Sequence, residues 1–264
     1  MNYQDICRIT REIAVETGSY IFGRIKSIAL HEVEVKGIHN FVTEVDKAAE
    51  AMIIDRLKGL VKDAGYIAEE GTLTTKGDRY NWIIDPLDGT TNFIHGAPPV
   101  AVSIALVKDN QPVVGVIYEI WLQESFYAWE GSDAYLNETK IKVSETARVK
   151  DALIATGFPY HNFDRLRGFM NTIDYFFTST HGVRRMGSAA TDMAYVACGR
   201  YDGFYEYNLS PWDVAAGALI IRQAGGKVSD FSGGDGYLFG REIVAANSNI
   251  HSSFLQDVAR FMKP

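Results

Sequence analysis

The chain has little cysteine: two residues in 264, Cys7 and Cys198. They stand far apart, each in a helix-like stretch. Two such thiols make neither a disulfide framework nor a zinc site, so a reducing compartment is expected. The six histidines are scattered, with none paired at helical ligand spacing, which argues against zinc chemistry. No window approaches the ~18 uninterrupted apolar residues of a membrane-spanning helix, so no membrane partner is expected. Met1-Asn2-Tyr3-Gln4-Asp5 has no basic stretch leading into an apolar one, so we expect no secretory signal and a cytoplasmic location. Positive charge is also short: 26 Lys and Arg against 33 Asp and Glu leave a net charge of −7. A nucleic-acid backbone asks for a basic face, so no nucleic-acid partner is expected. A small anionic substrate stays compatible, because a bound cation reverses the local sign. No repeat, low-complexity tract or long Pro/Gly/Ser linker interrupts the chain, so its two halves should pack together with a site between them.

A hydrophobic share of 47% with 22% charged residues is enough to bury a sizeable core. Ile6, Ile9, Ile13, Ile21, Ile25 and Ile28 recur at three- and four-residue spacing, which predicts an amphipathic helix over 3–30, bent near Gly18. Residues 31–43 read as a strand or loop. A second helix follows to about Leu60, and Tyr66-Ile67-Ala68 is a short strand. From 82 to 130 strands dominate (82–84, 100–108, 113–119, 125–129), with a turn at Asp109-Asn110, which predicts an antiparallel sheet. After about 147, strands at 152–156, 203–206, 227–228 and 243–246 alternate with helices at 163–177, 189–197, 211–224 and 250–262. That alternation predicts a parallel-type α/β second half. The expected division is an N-terminal α+β part, 1–146, and a C-terminal α/β part, 147–264.

The most informative run is Trp82-Ile83-Ile84-Asp85-Pro86-Leu87-Asp88-Gly89-Thr90-Thr91. An apolar stretch delivers two carboxylates, three residues apart, into a turn that Pro86 and Gly89 should form. Such a turn can aim Asp85 and Asp88 at one point and leave the Leu87 carbonyl as a further oxygen donor. Glu69 and Glu70 stand upstream, again after an apolar run and before a glycine. Asp213 falls in the first turn of a helix opened by Ser210 or Pro211, where it acts either as an electrostatic partner of the helix end or as another site carboxylate. Gathered carboxylates repel one another unless a cation sits among them, and hard oxygen donors suit magnesium. Arg184-Arg185 reads as a solvated strand end, with anion binding as the alternative.

Asp85-Pro-Leu-Asp-Gly-Thr-Thr-Asn92, Glu69-Glu70, Trp212-Asp-Val-Ala-Ala-Gly217 and Val42-Thr-Glu-Val-Asp46, with Lys36 upstream, together resemble the inositol monophosphatase family of lithium-sensitive, magnesium-dependent phosphatases. The resemblance covers about 5–260. Gly187-Ser188-Ala189-Ala190 and Glu206 favour the inositol branch over the nucleotide branch. The resemblance implies a layered αβαβα sugar-phosphatase-like fold and two or three magnesium ions. Glu69, Asp85 and the Leu87 carbonyl would hold the first; Asp85, Asp88 and Asp213 the second; Glu70 would help a weaker third through water. Thr90 beside Asp46 would orient or deprotonate the attacking water. Gly89 and Thr90 would offer backbone amides to the phosphate, and Asp213, Glu206, Gly187, Ser188 and Ala189 would wall the substrate. Gly157-Phe158-Pro159-Tyr160-His161 stands where substrate-side contacts are expected. The implied activity is hydrolysis of a small phosphorylated polyol or sugar, inositol 1-phosphate first, by direct attack of a water that magnesium activates, in a homodimer sensitive to lithium. Fructose 1,6-bisphosphate, histidinol phosphate, 3′-phosphoadenosine 5′-phosphate and a non-catalytic sugar-phosphate-binding regulator are the alternatives.

Overall fold

The first helix, α1 (Tyr3–Arg24), starts where the Asn2 side chain accepts the Gln4 and Asp5 N–H groups, satisfying donors that a helix start leaves unpaired. The computed structural model describes residues 1–25, 33–37, 40–159 and 163–262, with 33–37 and 40–43 by backbone alone. The readings at the Lys36 side chain, Tyr160 and His161 lie outside the described residues. Helix α1 ends before the predicted residue 30, and it is one element through Gly18. Packing explains that glycine: a Cβ there would lie 2.4 Å from the Tyr118 ring.

A small antiparallel hairpin, β1 (Val33–Gly37) and β2 (Asn40–Thr43), leads into α2 (Glu44–Leu57). Next come β3 (Gly65–Ala68), β4 (Tyr80–Asp88), the short α3 (Thr90–His95), β5 (Ala101–Lys108) and β6 (Gln111–Glu119). Strands β7 (Glu124–Trp129), β8 (Ala134–Leu136) and β9 (Thr139–Ile141) complete a seven-stranded sheet in chain order. It is antiparallel throughout except for the parallel pair β3–β4. Asp109 and Asn110, both at positive φ (50° and 63°), give the tight β5–β6 turn the twist a hairpin needs.

The second half carries β10 (Leu153–Thr156), α4 (Leu166–Ser179), β11 (Gly182–Arg184), α5 (Ala189–Ala197), β12 (Gly203–Tyr207), α6 (Pro211–Gln223), β13 (Lys227–Ser229), β14 (Glu242–Ala246) and α7 (His251–Met262). Its five-stranded sheet runs β11-β10-β12-β14-β13. It is mixed rather than parallel: β10 pairs parallel with β11 and β12, whereas β14 pairs antiparallel with β12 and β13. The reason is connectivity. Parallel neighbours need a long crossover, and only a single short helical turn at Gly236–Leu238 separates β13 from β14.

Five layers result. Helices α1 and α2 cover one face of the large sheet through Ile13, Ile21, Ile53, Leu57, Trp82 and Val116. Helices α5 and α6 lie between the two sheets, where Met193, Ala216 and Ile220 meet Ile117, Phe126 and Phe204. Helices α4 and α7 close the far side through Phe169, Phe176, Phe254 and Val258. Strand β5 is buried from Ala101 to Val107 because both of its faces carry helices, so its sequence is a continuous apolar run and not an alternation. Small residues at 215–218 let α6 come close to the sheet; a Cβ on Gly115 would lie 2.8 Å from the Ala216 carbonyl oxygen.

Candidate active site

Strand β4 carries the aspartate run to the edge of the middle layer. Asp85 faces Ser103 and Asp88 faces Ala101, so three steps on β4 oppose two on β5. The expected Asp-Pro turn is therefore a β-bulge at a strand end. An extra residue bends the strand and re-aims its side chains, and Pro86, which has no N–H, loses nothing at an irregular position. Gly89 then takes φ +98°, and a Cβ on it would meet the Pro99 carbonyl oxygen at 2.9 Å and the Gly187 carbonyl oxygen at 3.3 Å. Glycine is needed there twice over, for the left-handed backbone and for the close approach. Asn92 fastens this junction, donating to the Pro99 and Met186 carbonyl oxygens, each at 2.9 Å.

Each aspartate of the cluster is anchored by protein donors. Asp85 Oδ1 accepts the Leu87 N–H at 2.9 Å. Asp88 Oδ2 accepts the Ser188 hydroxyl at 2.6 Å and the Ala190 N–H at 2.7 Å, which ties β4 to the start of α5. Asp213 Oδ2 accepts the Ser210 N–H at 2.6 Å and completes a capping box on α6. Thr90 Oγ1 lies 3.2 Å from both Asp46 Oδ1 and the Leu87 carbonyl oxygen. A hydroxyl has one hydrogen, and a carboxylate is the stronger acceptor. Given to Asp46, that hydrogen leaves the Leu87 carbonyl open as a donor oxygen.

These groups wall a cavity of about 310 Å³ lying between the two halves of the chain. It brings together Glu69, Asp85, Leu87, Asp88, Gly89, Thr90, Gly187, Ser188, Ala189, Glu206 and Asp213. Asp46 and Glu70 stand outside its wall. Asp46, 1% exposed, reaches it through Thr90. Glu70 sits on the loop after β3, with its N–H held by Glu50 Oε2 at 2.7 Å. Glu50 also accepts the Thr72 N–H at 2.7 Å, so this fully buried acid of α2 shapes the glutamate loop. The sequence carries a signal for it: Asp46 and Glu50 are one helical turn apart, and Ala49 and Ile53 flank Glu50 on the buried face.

The electrostatics are those of crowded acids. Burial, then Asp213, pushes the Glu69 carboxyl well up, and Glu69 and Asp85 interact carboxyl to carboxyl. Burial, then Glu69, does the same to Asp85. Asp88 is pushed up to about 6 by burial, against the bonds from Ser188, Ala190 and Ala189. Asp213 rises to about 7 through burial and the charge of Asp88. Among the described residues, no three or more His, Cys, Asp or Glu side chains stand close enough together to hold a metal ion as they are placed. The donor chemistry fits a hard divalent cation nonetheless: all donors are oxygen, the Glu69 and Asp85 carboxyls interact, and the aspartates are held in place by backbone N–H groups. Helices α5 and α6 begin at the same wall, with Ser188, Ala189, Ser210 and Asp213 lining it, and helix N-termini favour anions.

Several cavity residues were not read from the sequence. Arg185 is the clearest correction: only Arg184 is an exposed strand end, while Arg185 walls the cavity, its guanidinium 5.2 Å from the centre of the Phe158 ring. Asp192 and Arg241 also line it. Gly157, Phe158 and Pro159, expected from the sequence on the substrate side, do line it; Gly157 is there for space, since a Cβ would lie 2.1 Å from both Glu206 carboxyl oxygens.

Alternating helix and sheet layers with an acid-walled cavity between the sheets define a layered α/β protein of the sugar-phosphatase type. The chain belongs to the inositol monophosphatase family, whose model matches residues 2–263. It is 40% identical over 266 residues to the Nus factor SuhB of Pseudomonas aeruginosa, covering 99% of this chain and 98% of that protein. It is also 40% identical over 240 residues to the inositol-1-monophosphatase of Mesorhizobium japonicum, covering 90% and 89%. Among solved structures, an IMPase of Thermotoga maritima superposes with a TM-score of 0.89 at 35% identity, covering 97% of this chain and 98% of that one. The extragenic suppressor protein SuhB of Bartonella henselae gives a TM-score of 0.89 at 36% identity, covering 96% and 98%.

Proposed function

We propose that this protein is a magnesium-dependent phosphate monoester hydrolase whose first substrate is inositol 1-phosphate. The observation that carries the reading is the meeting of Glu69, Asp85, Asp88 and Asp213, drawn from both halves of the chain, at a cavity where α5 and α6 begin. Glu69, Asp85, Asp88, Asp213 and the Leu87 carbonyl would hold two ions, with Glu70 helping a third. When bound, magnesium supplies positive charge that neutralises a dianionic phosphate and makes a water more acidic. The chain's own groups do the rest. Thr90, its hydroxyl donating to Asp46, presents its oxygen lone pairs to the attacking water, and Asp46 takes up the proton passed on. The Gly89 and Thr90 amides face the phosphate. Gly187, Ser188 and Ala189 form the adjoining wall. Glu206 is 7% exposed and its carboxyl makes no hydrogen bond among the described residues, so it is ready to accept from substrate hydroxyls. A polyol supplies such donors; an apolar ester does not.

The division of labour follows the chain: residues 1–146 supply most metal ligands, and 147–264 supply Asp213 and the substrate wall. A homodimer in the cytoplasm, with no nucleic-acid partner, completes the reading; no helix among the described residues is long and apolar enough to cross a membrane. The test is a phosphate-release screen of inositol, sugar and nucleotide phosphates with and without magnesium, repeated with millimolar lithium. Magnesium-dependent release from inositol 1-phosphate, inhibited by lithium, is expected. Faster release from fructose 1,6-bisphosphate, histidinol phosphate or 3′-phosphoadenosine 5′-phosphate would reassign the substrate. A second reading, a regulator without turnover, draws on relatives named Nus factor SuhB, 40% identical in Pseudomonas aeruginosa and 43% in Escherichia coli. Silence across the whole panel would favour it. The intact set Asp46, Glu69, Asp85, Asp88, Thr90 and Asp213 supports turnover, since a copy freed from catalysis has no reason to keep every member.

A further inference from the structure

Among the described residues of the cavity wall, Phe158 is the large apolar side chain left exposed, at 47%. A phenyl ring gains much from burial, and a core lies beside it. Phe169, 1% exposed, meets Phe158 with ring centres 6.1 Å apart and planes at 81°. The Phe158 ring nevertheless stays open to the cavity, held from two sides. Phe169 supports it from the core, and the Arg185 guanidinium stands 5.2 Å from its centre. Pro159, buried behind it, disfavours a helical backbone at Phe158. Apolar surface held open in the wall of a cavity is what a ligand contact needs. A polar partner adjoins it: both Glu206 carboxyl oxygens lie 2.1 Å from where a Cβ on Gly157 would stand. The acceptor for substrate hydroxyls is thus packed against the residue preceding Phe158. An apolar face and a hydroxyl acceptor, one residue apart, match a ligand that is apolar on one face and hydroxylated round its edge. A cyclic polyol has that shape, with C–H bonds making a face and hydroxyls making a rim. An open-chain polyol has the hydroxyls and no face.

We propose that Phe158 is a specificity-determining residue, selecting phosphates of cyclic polyols over those of open-chain polyols. Its ring lies against the C–H face of the leaving group while Glu206 accepts from the hydroxyls. The inference rests on the hydrolase reading above and deepens it by naming the shape of the leaving group. Inositol 1-phosphate and glycerol 2-phosphate are the probes. Both are phosphates of a secondary alcohol with a hydroxyl-bearing carbon on each side, and only the first has a ring.

Phe158→Ala removes the face, and Phe158→Tyr keeps it. In Phe158→Ala, KM for inositol 1-phosphate should rise about tenfold, the scale of a lost apolar contact in a binding pocket. A contact made equally before and during reaction leaves kcat within about twofold, and both constants for glycerol 2-phosphate should hold to about the same margin. Phe158→Tyr should match the parent on both substrates. Equal losses on the two substrates would show that the ring serves only to hold Arg185 or its own loop, and would overturn the proposal. Unchanged kinetics in Phe158→Ala would overturn it too, as would a Phe158→Tyr variant as impaired as Phe158→Ala. Thermal melting checks the fold: both variants should melt near the parent, and a Phe158→Ala variant that does not fold would make the ring a structural part and refute the assignment. If the parent cleaves both probes and the variants do not separate them, this inference fails and the hydrolase reading stands. If the parent cleaves glycerol 2-phosphate and not inositol 1-phosphate, the inositol reading fails first and takes this inference with it.

Discussion

Asp88 shows how one side chain can serve scaffold and site together. Its Oδ2 receives the Ser188 hydroxyl and the Ala190 N–H, while its carboxyl lies among the acids of the cavity. Asparagine keeps an oxygen for both of those donors but lacks the negative charge a cation needs. Asp88→Asn should therefore leave the melting curve near that of the parent and cut phosphate release by at least about a hundredfold, the scale of a lost electrostatic group in a closed site. Turnover at the parent rate would show that the carboxyl cluster is not the working centre. The same residues set a pH dependence. Asp88 is raised to about 6 and Asp213 to about 7, from an ordinary 3.8. Between the ordinary carboxylate range and these values the folded chain holds protons that the unfolded chain releases. Their contribution to stability is full at low pH and is lost as pH rises through about 6 and 7. In chelator-treated protein, the melting temperature should fall more steeply from pH 5 to 7.5 than in Asp213→Asn. Parallel curves would mean that Asp213 ionises in the folded state as it does in the unfolded chain.

At the scale of elements, the working parts are junctions. The bulge at the end of β4, the capped starts of α5 and α6, and the loop after β3 each turn a regular element into a pointer for one carboxyl. Glu50 governs the last of these by accepting the Glu70 and Thr72 N–H groups. Glutamine in its place has one acceptor oxygen where two are used, so Glu50→Gln should loosen the glutamate loop. The magnesium concentration for half-maximal phosphate release should rise about tenfold or more, as when groups behind metal ligands are removed, with the rate at saturating magnesium largely kept. An unchanged half-saturation point would mean that the loop holds its shape without Glu50. The aspartate run, the glutamate pair and the helix carrying Asp213 were legible because each is a local pattern: an apolar run, a proline and glycine, a capped helix start. What stayed hidden depends on neighbours distant in the chain. A bulge is defined by the partner strand, so Asp85 to Asp88 reads as a turn until β5 is set beside it. Arg184 and Arg185 are alike in sequence, but β11 ends at Arg184, and the next residue turns inward onto Phe158. Asp192 looks like an ordinary polar residue of α5 until the fold sets it in the same cavity wall as Glu206, fourteen positions on. The mixed second sheet was missed for a similar reason, since β13 and β14 turn back on each other without a helix.

Across the whole molecule, the cavity is a seam. The seven-stranded sheet and its loops bring Glu69, Asp85 and Asp88; the middle layer brings Asp213 at the head of α6. With no cation, these carboxyls repel across the contact that joins the two halves, and burial raises the energy of each charge. A divalent ion should reverse that, turning the weakest part of the interface into a cross-link between layers. Magnesium should therefore raise the melting temperature at pH 7.5, where the acids are closest to full charge. A concentration of 100 times Kd corresponds to about 2.7 kcal/mol if only the folded state binds. Sodium at matched ionic strength should do much less, because screening does not replace coordination. Asp213→Asn removes the only one of these four carboxyls that comes from α6, so it should abolish most of the magnesium-dependent shift while leaving the sodium response in place. An undiminished shift in that variant would place the ion wholly within the first half of the chain and remove α6 from the metal site.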